Sequence, residues 1–321
     1  MISRKIITVI DILKEPHREA IRAAAEKHGF EALFFQEEKE ALPDLADAEI
    51  VFGQSDILAR HSPRLRWLCT PSAGADQFVD ENVFASPDAV LTNSSGAYGV
   101  SIAEHAVMVI LESLRRQAEY SGIAARREWI RDLPIRSIKN SRVTLLGTGN
   151  IGQTCAARLR AFEPMNLVGI NRSGRNSGSL FDRILRQEQF EEILPKTDIL
   201  VISVPATPET FHMLDSRRMA LLPDQALLVN VGRGSVVEQK GLEAELRAGR
   251  LNAALDVFER EPLPPEDTLW DCPNLLITPH NAGNMMLPYT LDRVVALFLE
   301  DFENYCAGRP LQRLVDREKG Y

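Results

Sequence analysis

Val143-Thr-Leu-Leu-Gly-Thr-Gly-Asn-Ile-Gly152, running on into Gln153-Thr-Cys-Ala-Ala-Arg-Leu-Arg-Ala-Phe162, decides the fold class of this chain. A β-branched apolar run leads into the three glycines, and an amphipathic run leads out. The glycine spacing alone is a weak signal; a strand before it and a helix after it make it a dinucleotide-binding βα unit. Gly147 permits the tight turn, Gly149 lets the backbone approach a pyrophosphate, and Gly152 lets helix and strand pack closely. The first helical residues, Asn150 and Ile151, then offer unpaired N–H groups and a partial positive charge to phosphate.

The same alternation extends in both directions, which predicts an α/β chain with parallel sheets. Downstream, strands are expected at Asn166–Asn171, Ile199–Val204, Ala226–Val231, Ala253–Val257 and Leu275–Thr278. Upstream they are expected at Ile6–Ile10, Ala32–Phe35, Glu49–Phe52 and Leu65–Thr70, with a helix from Pro16 to His28 stopped by Gly29. Val100–Glu112 is apolar almost all round, the pattern of a helix buried between layers, domains or subunits. Leu287–Ala307 reads as one helix that returns to the first domain.

With 321 residues the chain exceeds what one core usually serves, so two domains are expected. Residues 1–95 with 285–321 form the expected substrate-binding domain, and residues 96–284 the dinucleotide-binding domain. Lys plus Arg is 37 against 45 for Asp plus Glu, so the net charge is −8, which argues against general nucleic-acid binding. No apolar run of about 18 residues is present, so no membrane-spanning helix is expected. Cys69, Cys155, Cys272 and Cys306 lie far apart, as reduced thiols in a cytoplasmic protein do. With no histidine or cysteine cluster, no metal is expected.

The end of the second cofactor strand reads Asn171-Arg172-Ser173-Gly174-Arg175. An NAD site usually places an acidic residue here to hold the ribose 2′-OH. A neutral Asn171 followed by Arg172, with Ser173 as a further donor, instead suits a 2′-phosphate. NADP(H) is therefore the expected cofactor, with NAD the weaker alternative. Val204, at the end of the next strand, joins the candidate cofactor contacts.

Three later segments also follow strands, where open α/β sheets place their ligands. They carry Arg233 between two glycines, Asp256 through Glu261, and His280 in Thr278-Pro-His-Asn-Ala-Gly283. An arginine fork suits a substrate carboxylate and keto oxygen. A histidine near neutrality suits the proton that partners a hydride, and a carboxylate beside it fixes its tautomer.

At these residues the chain resembles the D-isomer-specific 2-hydroxyacid dehydrogenase family. The resemblance runs from Ser72-Ala-Gly-Ala-Asp76 through the glycine motif, Asn230-Val-Gly-Arg-Gly-Ser-Val-Val237 and Ala254-Leu-Asp-Val-Phe-Glu-Arg-Glu-Pro-Leu-Pro264 to Gly283. It implies two Rossmann-like doubly wound domains, flavodoxin-like and dinucleotide-binding, with the active site in the cleft and domain closure excluding water. It implies His280 as acid/base, Glu261 as its partner, Arg233 as substrate anchor and Asp256 as holder of the nicotinamide carboxamide. Ala73, Gly74 and Ala75 would line the substrate carboxylate, and Ser101 would lie near the cofactor. It implies a homodimer through the cofactor domain, with the Val100 helix and the Trp129 arm as the dimer region. Asn171-Arg172 resembles the NADPH-using glyoxylate and hydroxypyruvate reductase branch, so a small anionic 2-oxo acid is the expected substrate.

Relatives that serve as co-repressors supply a rival reading, a nicotinamide-sensing interaction protein. A formate dehydrogenase is a second rival; that relative carries Gln as the histidine partner, and Glu261 argues against it. His105 reads as structural and His212 has no assigned role. His17, His28 and His61 read as surface residues, and Trp67, Trp129 and Trp270 as packing residues.

Overall fold

Parallel strands need crossover connections of a dozen residues or more, and the spacing of the apolar runs supplies them. The computed structural model of the chain describes residues 4–78, 83–175 and 178–317. They divide into two compact units, Met1–Tyr98 with Met285–Tyr321, and Gly99–Asn284.

The first unit holds strands β1 (Arg4–Val9), β2 (Phe30–Phe35), β3 (Ala48–Gly53), β4 (Trp67–Cys69) and β5 (Val90–Thr92), with helices α1 (Glu15–Lys27), α2 (Glu38–Ala41) and α3 (Asp56–Arg60). The strands pair in the order β2-β1-β3-β4-β5, all parallel, the flavodoxin-like winding. Gly29 ends α1 at φ +73°, as expected of a glycine beyond a helix C-terminus. The last long helix of the chain, named below in chain order, packs on this sheet. Its Phe298 stacks on Phe52 at 4.3 Å and on Trp67 at 5.3 Å, and Phe52, Trp67 and Phe298 are fully buried.

The second unit holds α4 (Gly99–Leu114), α5 (Gln117–Ala125), β6 (Arg142–Leu146), α6 (Asn150–Arg160), β7 (Asn166–Asn171), β8 (Arg183–Arg186), α7 (Phe190–Ile193), β9 (Ile199–Ile202), α8 (Ser216–Met219), β10 (Leu227–Asn230), α9 (Gln239–Arg247), β11 (Asn252–Leu255) and β12 (Leu275–Ile277). The returning helix of the first unit is α10 (Pro288–Cys306). Strand order in the second sheet is β12-β11-β10-β9-β6-β7-β8, so the winding reverses between β6 and β9. That crevice, at the carboxyl ends of the strands, is where doubly wound sheets bind dinucleotides. Two Rossmann-like α/β units with parallel sheets are thus the architecture.

One expectation shifts. Residues 128–137 form neither helix nor strand, and Trp129 there is 94% exposed within the single chain rather than packed. Among the described residues no helix is long and apolar enough to cross a membrane.

Candidate active site

The glycine loop sits at the reversal point. Gly147 adopts φ +104°, which a side chain resists, and its N–H is given to Ile170 O of β7 at 3.0 Å. A methyl at Gly152 would collide with the Gly147 carbonyl, so only glycine lets α6 begin this close to β6. Gly149 differs: a methyl there meets nothing within 4 Å, so the side facing the α6 N-terminus is open. Open space before exposed Asn150 and half-buried Ile151 suits a pyrophosphate. Half-buried Val204 lies across the reversal, its carbonyl against Gly232.

After β7 the chain turns around Asn171. The Asn171 Oδ1 accepts from Gly174 N at 2.6 Å and from Ser173 Oγ at 3.2 Å, while its Nδ2 donates to Thr148 Oγ1 at 2.8 Å and Arg175 O at 3.1 Å. The Asn171 amide is thus used within the protein, tying this turn to the glycine loop. Arg172, Ser173 and Arg175 are exposed.

The loop after β12 carries His280, held at φ +50°. A non-glycine residue there costs on the order of 1–3 kcal/mol, which its surroundings must offset. They do so through Asp256, which is only 3% exposed. Asp256 Oδ1 accepts from Thr278 Oγ1 at 2.7 Å and Asn281 N at 3.0 Å, Oδ2 from Ala282 N at 3.1 Å, and its carbonyl from His280 N at 2.9 Å. Ser101, buried in α4, donates its hydroxyl to Ala282 O at 2.6 Å, so its hydrogen serves the same loop. His105, also on α4, reaches Thr278 Oγ1 with Nε2 at 3.1 Å. The Thr278 hydrogen goes to Asp256, so the His105 nitrogen is the donor. Burial is the leading influence on the His105 pKa and lowers it, keeping the ring neutral, with Asp256 opposing.

So fixed, His280 Nδ1–H donates to Glu261 Oε2 at 2.6 Å, and its ring is 51% exposed. The other carboxylate oxygen of Glu261 accepts from Phe258 N at 2.9 Å. This bond selects the tautomer that turns Nε2 outward. Arg233 follows β10 and donates from Nη1 to Gly232 O at 2.9 Å, while Asn230 clamps the turn through Arg233 O at 3.0 Å. A methyl at Gly234 would collide with the Phe258 carbonyl, so the Arg233 and Glu261 segments lie in direct contact. A hydrogen-bonded histidine–carboxylate pair and a guanidinium thus stand on adjacent strand ends.

In the first unit, the loop after β4 is braced on every side. Tyr98 Oη donates to Pro71 O at 2.6 Å, Asn93 Nδ2 to Ala73 O at 2.9 Å and Ser72 Oγ to Gly74 O at 2.5 Å. Among the described residues nothing accepts from the N–H of Gly74 or Ala75.

His105 is structural, as its place in an apolar helix suggests, and what the sequence did not show is its partner, Thr278 of the His280 loop. A histidine in an apolar helix is a real signal, but nothing in the sequence shows which loop it supports. His212 pairs with Glu259 at 2.9 Å, bracing the segment that carries Glu261. His17 and His28 are half-buried against α10, facing Asp292 and Glu303.

Known proteins are similar to this chain in sequence and fold. A family model described as "D-isomer specific 2-hydroxyacid dehydrogenase, NAD binding domain" matches residues 107–282. A glyoxylate/hydroxypyruvate reductase B from Pectobacterium atrosepticum is 31% identical over 249 residues, 74% of this chain and 77% of that one. A D-isomer specific 2-hydroxyacid dehydrogenase family protein from Aeromonas salmonicida superposes with a TM-score of 0.87 at 30% identity, covering 98% of this chain and 99% of that one. An NADPH-dependent glyoxylate/hydroxypyruvate reductase from Sinorhizobium meliloti, solved with NADP and sulfate, superposes with a TM-score of 0.83 at 26% identity over 99% of this chain and 100% of that one. An oxidoreductase fold with an outward-facing His–Glu pair at the strand ends, matched over more than half its length by the family model, makes this chain a member of the D-isomer-specific 2-hydroxyacid dehydrogenase family.

Proposed function

We propose that the chain is an NADP(H)-dependent reductase of small 2-oxo acids such as glyoxylate or hydroxypyruvate. The observation that carries this is the 2.6 Å His280–Glu261 bond, with the imidazole half-exposed and its second nitrogen directed outward. The relatives from Pectobacterium and Sinorhizobium, named for glyoxylate and hydroxypyruvate, support the substrate class.

The residues fit the cofactor. Gly147, Gly149, Asn150, Ile151 and Gly152 would cradle its pyrophosphate, the open side of Gly149 being the place a side chain would otherwise fill. Arg172 and Arg175 would face the 2′-phosphate, around a turn shaped by Asn171 and Ser173. Val204 would border the nicotinamide end. Asp256 retains acceptor capacity on Oδ2 for the carboxamide. When bound, the reduced cofactor supplies the hydride to C2 of the keto acid.

The rest belongs to the chain. Arg233 holds the carboxylate and polarises the ketone with its fork. His280, protonated, gives the Nε2 proton to the ketone oxygen, and Glu261 stabilises the imidazolium before that transfer. The product is the 2-hydroxy acid; the reverse reaction starts from neutral His280. In the first unit, the N–H groups of Gly74 and Ala75, beside Ala73, have no acceptor among the described residues and would suit a carboxylate. Trp129 at 94% exposure, with Ile130, Ile135 and Met108 near half, supports a homodimer formed by the cofactor unit. Free thiols at all four cysteines suit a reducing, cytoplasmic setting.

Turnover of glyoxylate and hydroxypyruvate, followed by cofactor absorbance with NADPH and NADH and at several pH values, tests the reading. Reduction should weaken toward high pH and oxidation toward low pH. Tight NADPH binding with no turnover across a keto-acid panel would instead favour a cofactor sensor.

A further inference from the structure

The turn after β7 leaves the expected 2′-phosphate with a donor problem. Asn171 is committed within the turn, and the hydroxyl hydrogen of Ser173 is directed at Asn171 Oδ1. Arg172 faces an opposing charge, since it lies close enough to Glu209 to help lower that carboxyl's pKa, after the Glu209 backbone N–H and the Thr207 hydroxyl. A phosphate monoester carries about −1.5 to −2 at neutral pH, so Arg172, partly opposed, together with Arg175 leaves a place for a further guanidinium.

Strand β8 brings another. Asn171 of β7 and Arg186 of β8 are register partners in a parallel pair, so their side chains leave the sheet on the same face. Asn171 points to Thr148 of the glycine loop, which identifies that face as the nucleotide face. Gly174, at φ +67°, brings its backbone against the Arg186 stem; a methyl there would lie 2.7 Å from Arg186 Cγ and 3.5 Å from Nε. Arg186 is exposed, and its guanidinium has no hydrogen-bond or ion-pair partner among the described residues.

We infer that Arg186 is a specificity-determining residue for the adenosine 2′-phosphate, completing with Arg172 and Arg175 a three-guanidinium site across the β7 turn and the β8 edge. This rests on the NADP(H) reading above. The stem of Arg186 packs against Gly174 of the same turn, which would bring its planar fork to the phosphate beside Arg172 and Arg175, and a point charge cannot replace that fork.

The test is calorimetric titration of the full-length wild-type, R172A, R186A and R186K proteins with NADPH, NADH and adenosine 2′,5′-bisphosphate. R186A should raise the NADPH Kd about tenfold relative to the NADH Kd, the loss of one charge-assisted contact. It should weaken the bisphosphate by a similar factor, and R186K should recover only part of either loss. If R172A narrows the NADPH-to-NADH ratio while R186A leaves it unchanged, Arg186 is excluded and the cofactor reading stands. If R186A weakens both dinucleotides alike, Arg186 merely covers Gly174, and the inference falls. If the wild-type protein binds NADPH no tighter than NADH, the cofactor reading fails and takes this inference with it.

Discussion

Two turns at the carboxyl edge of the second sheet are built alike and differ in charge and burial. Each hangs on one side chain that gathers hydrogen bonds from its own loop, Asp256 for the loop after β12 and Asn171 for the turn after β7. Asp256 is an almost fully buried carboxylate and holds a histidine in a strained backbone conformation. Asn171 is a neutral, half-buried amide that shapes a turn bearing exposed arginines. A charged buried hub fixes geometry within a fraction of an ångström, as proton transfer requires. A neutral, partly wet hub suffices to gather cations around a phosphate, and it can change without breaking the fold.

The largest effect should come from His280→Ala, which removes the proton carrier and should lower kcat by about 10²–10⁴-fold in steady-state assays. Loss of less than tenfold would break the assignment of the buried loop to catalysis. Asp256→Asn comes next. It replaces two acceptor oxygens by one and turns an amide N–H₂ toward backbone donors, which should cost about 1.5–3 kcal/mol in chemical denaturation and lower kcat with little change in substrate KM. Asn171→Asp gives up the amide's donations to Thr148 Oγ1 and Arg175 O, so it should cost some stability, less than Asp256→Asn because the site is half-buried, while lowering the NADPH-to-NADH efficiency ratio by about tenfold, ~1.4 kcal/mol, because a carboxylate at this turn repels a 2′-phosphate. Equal stability losses in these two variants would erase the contrast between the hubs.

The smallest effect sharpens it. His105 has its pKa lowered by burial, so the folded protein resists protonating it while the unfolded chain takes up the proton near its ordinary value of about 6.5. The unfolded state then binds more protons between those two values, and stability falls as pH drops from about 6.5 toward the folded pKa. In thermal melts, His105→Gln should lose less Tm than the wild type over that interval.

Much of this was legible in the sequence. The glycine turn, the apolar strands and the His280, Glu261 and Arg233 segments are local patterns, and the parallel sheets follow from their alternation. Two strands escaped. Val90–Thr92 is three residues long, and Arg183–Arg186 begins and ends in arginine, so neither offers the apolar run that marks a buried strand. Missing the second also hid Arg186, whose position depends on pairing with Asn171 across fifteen residues of chain. The hydrogen-bond hub was illegible for a similar reason. Asp256, Thr278 and His105 each stand out locally in the sequence, but only the packing of α4 behind the sheet edge joins them into one network.

The contact between Gly234 and the Phe258 carbonyl leaves no room for even one added carbon. Anyone redesigning the proposed substrate range is therefore barred from the segment next to Arg233: bulk introduced there would push Glu261 and, through it, His280 out of line before it altered the fit of a substrate. Libraries aimed at new substrates should hold residues 232–234 and 256–261 fixed and diversify elsewhere.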